Sequence, residues 1–101
     1  MEYTPVTADD FAAIDDLPDW ELLDGGVIRA TFGMPTFPAG ASLVSAISGL
    51  AEHAVHHPDL ELRYPGKVQV DLTTHDAGGL TTLDTDLARQ ITLTARAMGA
   101  A

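Results

Sequence analysis

Leu60-Glu61-Leu62-Arg63-Tyr64-Pro65-Gly66-Lys67-Val68-Gln69-Val70-Asp71-Leu72-Thr73 is the stretch that decides the fold. Before Pro65-Gly66, Leu60, Leu62 and Tyr64 alternate with Glu61 and Arg63; after it, Val68, Val70 and Leu72 alternate with Gln69, Asp71 and Thr73. Successive side chains of a strand point to opposite faces, so this period of two marks strands buried on one face and wet on the other. The stretch reads as a hairpin turning at Pro-Gly. Its apolar face needs a cover, whereas Gln69, Asp71 and Thr73 suit a face left in water.

The segments on either side supply the cover. Over residues 38–57, Leu43, Val44, Ile47, Leu50, Ala51 and Ala54 follow helical spacing and predict one buried stripe. A second row of small residues, Ser42, Ser45, Ala46 and Gly49, either packs loosely or admits a partner helix. Pro58 ends this helix, which places His56 and His57 in its last turn or just beyond. After the hairpin, Gly78-Gly79 breaks the chain, and Thr81-Thr82-Leu83-Asp84 has capping-box spacing with Asp where Glu is usual. The helix that follows turns Leu83, Leu87 and Ile91 inward, with Leu93 or Ala95 completing the row.

Further from the hairpin, Thr7 can cap a short helix with Asp9 and Asp10 set against its dipole. Phe11, Ile14 and Leu17 would face inward, and Pro18 would stop it. Segments 20–24 and 27–32 flank Gly25-Gly26 and read as a second hairpin, its turn tolerant of positive φ. The order is α-β-β-α-β-β-α. The expected class is α+β: a four-stranded, mainly antiparallel sheet with helices packed on one face, all in a single domain over residues 1–101.

Composition narrows the function classes. Apolar residues make up 46% of the chain, which suits a folded protein. There is no cysteine, hence no disulfide framework and no thiolate chemistry. Fifteen acidic residues against five basic ones give a net charge of −10, so nucleic acid and anionic membranes should repel the chain. No apolar run approaches a membrane span, and the N-terminus lacks the basic start and apolar stretch of a signal peptide. The expected location is cytoplasmic.

The chemistry concentrates in the histidines. Imidazole both gives and takes a proton near neutrality. Glu52 and His56 are four apart, so on a continuous helix they face each other, and the carboxylate would orient the ring. The alternative is an ordinary surface ion pair. His57 stands next to His56 at the helix end, where an imidazole can also serve as a C-terminal cap. His75 follows the second strand of the hairpin, with Thr74 and Asp76 beside it as candidate hydrogen-bond partners, or is a solvated loop residue. His53 and His57 share the spacing of metal-ligating pairs. The zincin pattern, however, needs Glu directly after the first histidine, and Ala54 stands there, so no metal is expected.

Taken together, Glu52-x-x-x-His56-His57-Pro58, Tyr64, Thr73-Thr74-His75-Asp76, Gly78-Gly79-Leu80 and Asp84 resemble the pterin-4a-carbinolamine dehydratase family. Leu17-Pro18-Asp19-Trp20, Phe32 and Phe37 carry the resemblance beyond the motif, over about residues 7–98. The resemblance implies dehydration of 4a-hydroxytetrahydrobiopterin to quinonoid dihydropterin and water, in support of aromatic amino-acid hydroxylation. It implies His56, His57 and His75 as catalytic residues and Glu52 and Asp84 as substrate-binding or orienting residues, and Asp76 joins the latter from its place beside His75. It implies no cofactor, the pterin being the substrate, and homodimers or homotetramers as the assembly. Asp84 also reads as the helix cap described above, and both roles stay open.

The chain departs from the family pattern at several points. Leu60 stands where an aromatic, most often tryptophan, is usual; Val55 stands where Asp or Asn is common; and the later hairpin is one residue longer. A flat substrate thereby loses one stacking surface. These departures frame the competing reading, a non-catalytic scaffold or assembly partner on the same fold.

Overall fold

The computed structural model describes residues 2–101. Its elements are α1 (Ala8–Ala12), β1 (Glu21–Leu23), β2 (Val27–Gly33), α2 (Phe37–Ala54), β3 (Asp59–Arg63), β4 (Lys67–Leu72) and α3 (Thr82–Ala97), with a 3-10 turn at His75–Ala77. The strands form one antiparallel sheet in the order β1-β2-β4-β3. This is the expected α-β-β-α-β-β-α arrangement.

The two hairpins join along β2 and β4. Ile28 lies opposite Leu72, Ala30 opposite Val70, and Phe32 opposite Val68. All six side chains are buried. Leu60 and Leu62 of β3 continue the same face and are half-buried against it. α2 contributes Leu43, Ile47 and Ala51 to the core, and α3 contributes Leu87, Ala88, Ile91 and Ala95. Each large aliphatic side chain removed from water in this layer is worth about 1.5–3 kcal/mol. The other face is polar: Arg29 reaches across to Asp71 with two hydrogen bonds of 2.7 and 2.9 Å.

Two alternatives left open by the sequence resolve, at the last helix and at the end of α2, and one expectation changes, at α1. The last helix completes its inner row with Ala95, fully buried, while Leu93 is 68% exposed. α1 ends at Ala12, well before Pro18, and Leu17 is buried from the loop that follows. That loop delivers Trp20 to the core, where its indole N–H donates to the Thr92 hydroxyl at 2.8 Å. α2 ends at Ala54, because Val55 adopts φ 51°, ψ 43°, the left-handed conformation. His56 and His57 thus lie beyond the helix, not in its last turn.

Two glycines allow the layers to close. A Cβ on Gly66 would stand 2.6 Å from the Thr36 carbonyl oxygen, so only glycine lets the β3–β4 turn dock on the β2–α2 connection. At Gly26, φ is +73°, and a Cβ would stand 2.9 Å from Gly79 Cα. This close approach brings the first hairpin's turn against the loop that leads into α3. The N-terminal residues run antiparallel to that same loop: Val6 N–H donates to the Leu80 carbonyl at 2.9 Å, and Thr82 N–H donates to the Thr4 carbonyl at 2.9 Å. Among the described residues, no helix is long and apolar enough to cross a membrane.

Candidate functional site

The C-terminal end of α2, the end of β4 and the N-terminus of α3 meet at one corner, and Asp84 lies at the centre of it. Asp84 is the third residue of α3, in the capping box that Thr81 opens. It has no solvent exposure. Oδ2 accepts from Thr81 N–H at 2.9 Å and from the Thr74 hydroxyl at 2.7 Å. Oδ1 meets His56 Nε2 at 2.6 Å. The helix cap and the contact to His56 are therefore both present, divided between the two oxygens of one carboxylate.

The donor directions follow from the inventory of protons. A carboxylate accepts only, and a hydroxyl has one proton. The Thr74 hydroxyl spends its proton on Asp84, so the Thr81 hydroxyl, 2.8 Å away, must donate to Thr74. Thr81 Oγ1 in turn accepts from Leu83 N–H at 3.2 Å. A buried carboxylate is tolerable only when its oxygens are supplied with donors, and here three converge on it. With His56 Nε2 carrying its proton toward Asp84, Nδ1 is the ring nitrogen left for other work. In the neutral ring Nδ1 holds the free lone pair.

His57 has a different environment. Its Nε2 meets Glu52 Oε2, and the two side chains are 60% and 74% exposed. Glu52 thus holds His57, not His56 as helical spacing predicted. The spacing rule presumes a continuous helix, and the left-handed turn at Val55 breaks it one residue early. The chain swings His56 across to α3 and returns His57 to the last turn of α2.

His75 opens the 3-10 turn after β4. Strand alternation does not carry through to it, because β4 stops at Leu72, Thr73 donates to the Gly26 carbonyl at 2.8 Å, and Thr74 turns into the interior. The Thr74 hydroxyl serves Asp84 and not the neighbouring ring. Gly78, at φ +72°, then reverses the chain toward Gly79, which pairs with Thr74.

These elements enclose a cavity of about 550 Å³, within the range of small-molecule sites. His56, His57, His75, Thr73, Thr74 and Asp76 give it a polar lining, and Tyr3, Val55 and Leu83 an apolar one. Of the residues named from sequence, the three histidines and Asp76 reach the cavity. Glu52 and Asp84 are not among the lining residues, and each is hydrogen-bonded to a histidine that is. Leu60 packs toward the core from β3 and forms no part of the lining. Among the described residues, no group of three or more His, Asp or Glu side chains is disposed to hold a metal ion. Tyr3 and Leu83 escaped the sequence reading as site residues. The one local signal for Tyr3 was an aromatic placed just ahead of the first helix cap.

Residues 4–93 match the family model described as Pterin 4 alpha carbinolamine dehydratase. A protein of Roseiflexus sp. (strain RS-1) is 50% identical over 78 residues, covering 77% of this chain and 82% of its own. One of Nocardia farcinica is 48% identical over 84 residues, covering 83% of this chain and 86% of its own. Both carry provisional names as pterin-4-alpha-carbinolamine dehydratases. Among solved structures, the transcriptional coactivator/pterin dehydratase from Brucella melitensis superposes with a TM-score of 0.81 at 28% identity, covering 89% of this chain and 97% of that one.

Proposed function

Since the chain belongs to the pterin-4a-carbinolamine dehydratase family, we propose that its three-histidine cavity dehydrates a 4a-hydroxytetrahydropterin to the quinonoid dihydropterin. The reading is carried by one observation: imidazoles from two separate chain segments line one cavity of substrate size, and a buried carboxylate fixes one of them.

The reaction breaks the C4a–O bond and forms C4a=N5. The leaving oxygen gains a proton and departs as water, while N5 loses one. Proton count and oxidation state both balance, so the chemistry calls for an acid and a base and for no redox partner or metal. Positioned side chains contribute roughly 10²–10⁴-fold to such steps. His57 is the acid in this scheme: it stands at the exposed rim, and Glu52 gives its ring a partner when protonated. His56, with Nε2 tied to Asp84, offers Nδ1 to the N5 proton or to the pterin edge. His75 faces them from the other segment and shares the orienting and proton-exchanging role. In the same scheme Asp76, which also lines the cavity, accepts from the substrate's amino and amide N–H groups.

The test mixes purified protein with freshly generated 4a-hydroxytetrahydropterin and follows the ultraviolet change. Wild-type protein should accelerate dehydration, and His57→Ala and His75→Ala should each slow it by at least about tenfold. Near-normal rates for both variants would remove the site.

A further inference from the structure

We propose that Tyr3 is a substrate-positioning residue, its ring forming the wall on which the flat pterin stacks. The inference rests on the dehydratase reading and specifies how that site holds its substrate.

Tyr3 lines the histidine cavity although it lies 50 or more positions from every histidine in sequence. Long-range backbone pairing puts it there. Thr4 N–H donates to Thr82 Oγ1 at 3.0 Å, Thr82 N–H to the Thr4 carbonyl at 2.9 Å, and Val6 N–H to the Leu80 carbonyl at 2.9 Å. Pro5 and Thr81 form a bridge between them. The strap is thus fastened to the same cap that presents Asp84, so the ring and the buried dyad share one anchor. Tyr3 is 39% exposed, so its side chain is not sealed into the core and remains accessible to a ligand in the cavity it lines.

No other phenyl, phenol or indole ring among the described residues lines this cavity. Trp20 and Phe32 are buried in the core, and Phe11 packs against it. Phe37 begins α2, at the opposite end from the histidines, and Tyr64 lies in the β3–β4 turn, remote from the end of β4. Leu60 is turned toward the core. The planar, conjugated part of a pterin gains most from contact with another planar ring, and the apolar liners besides Tyr3 are the aliphatic Val55 and Leu83. The 4a-hydroxyl projects from one face of the ring, where His57 must reach it, and the N5 proton is met at the edge, which leaves the opposite face for Tyr3.

The experiment compares wild type, Tyr3→Phe, Tyr3→Leu and Tyr3→Ala. It uses calorimetric binding of 7,8-dihydropterin, which does not react, alongside steady-state dehydration. Tyr3→Phe should match wild type, because it keeps the ring. Tyr3→Leu, which keeps apolar bulk without a π face, and Tyr3→Ala should weaken binding and raise KM by about 3- to 10-fold with kcat within about twofold. Wild-type affinity in Tyr3→Leu, equal losses in Tyr3→Phe, or a fall in kcat without a change in KM would each overturn the role of Tyr3 while leaving the dehydratase intact. Wild-type protein that neither binds the dihydropterin nor dehydrates the carbinolamine would overturn both.

Discussion

Two adjacent histidines meet two carboxylates in opposite environments. His56 is 11% exposed and Asp84 not at all, whereas His57 and Glu52 are 60% and 74% exposed. The buried pair belongs to a closed network in which every hydroxyl and both carboxylate oxygens have a partner. The exposed pair stands alone in water. Dielectric and competition with solvent make the first far more consequential than the second, although one backbone reversal creates both. On the proposed dehydratase reading this is a division of labour: a fixed imidazole at the back of the cavity holds a substrate edge, and a solvent-exposed one at the rim exchanges its proton with water between turnovers.

The largest effect should come from breaking the buried pair. Asp84→Asn preserves volume but puts an N–H₂ group where one oxygen accepted, and that group must face either the Thr74 and Thr81 donors or His56 Nε2. Facing Thr74 and Thr81 it sets donor against donor at a position without solvent exposure; facing His56 it can donate only if the ring moves its proton to Nδ1, which removes the lone pair the site uses. Stability should fall by about 2–4 kcal/mol in urea titration, and dehydration by about 100-fold or more once folded protein is assayed. A variant of undiminished stability and rate would mean that the network neither supports α3 nor orients His56.

The comparison can be sharpened at the residue that creates it. Val55 is β-branched and holds φ 51°, a conformation such residues rarely adopt. The left-handed region costs an L-residue with a Cβ roughly 1–2 kcal/mol. Val55 is 67% exposed, so little packing offsets that cost. Val55→Gly should therefore raise stability by about 0.5–1 kcal/mol, read as a higher urea midpoint at unchanged slope. If the substitution destabilises the protein, the side chain of Val55 contributes to the cavity wall more than its exposure suggests.

The same position marks where sequence reading stops. The alternation at residues 60–73 and the apolar stripe of α2 specify sheet, face and helix cover, because each depends on local periodicity and burial. The histidines were legible as a group for the same reason: they flank elements whose ends are marked by proline and glycine. Which carboxylate holds which histidine was not legible. That pairing depends on a single left-handed residue, and valine is the type least indicative of one. Tyr3 was hidden by a different cause, since its place depends on backbone pairing between residues 4–6 and 80–82, which no side-chain pattern encodes. Asp84 was visible only as two competing roles; the division between Oδ1 and Oδ2 is a matter of geometry.

The exposed pair should give the smallest response. Glu52→Gln keeps a group able to bond the His57 ring but removes the charge beside it. Surface pairs of this kind contribute about 0–1 kcal/mol, so the urea midpoint should move by no more than about 0.5 kcal/mol of stability. Activity should still report the difference between the pairs. If His57 delivers the proton to the leaving hydroxyl, losing its anionic partner reduces kcat by a few-fold at neutral pH, while binding of 7,8-dihydropterin stays as in wild type, because Glu52 does not line the cavity. Added salt screens exposed charges over about 8–10 Å and leaves buried ones largely untouched. Salt should therefore erase part of the gap between Glu52→Gln and wild type and none of the gap between Asp84→Asn and wild type. An Asp84→Asn deficit that also shrinks with salt would mean that solvent reaches the inner pair, and that the two environments differ less than their burial implies.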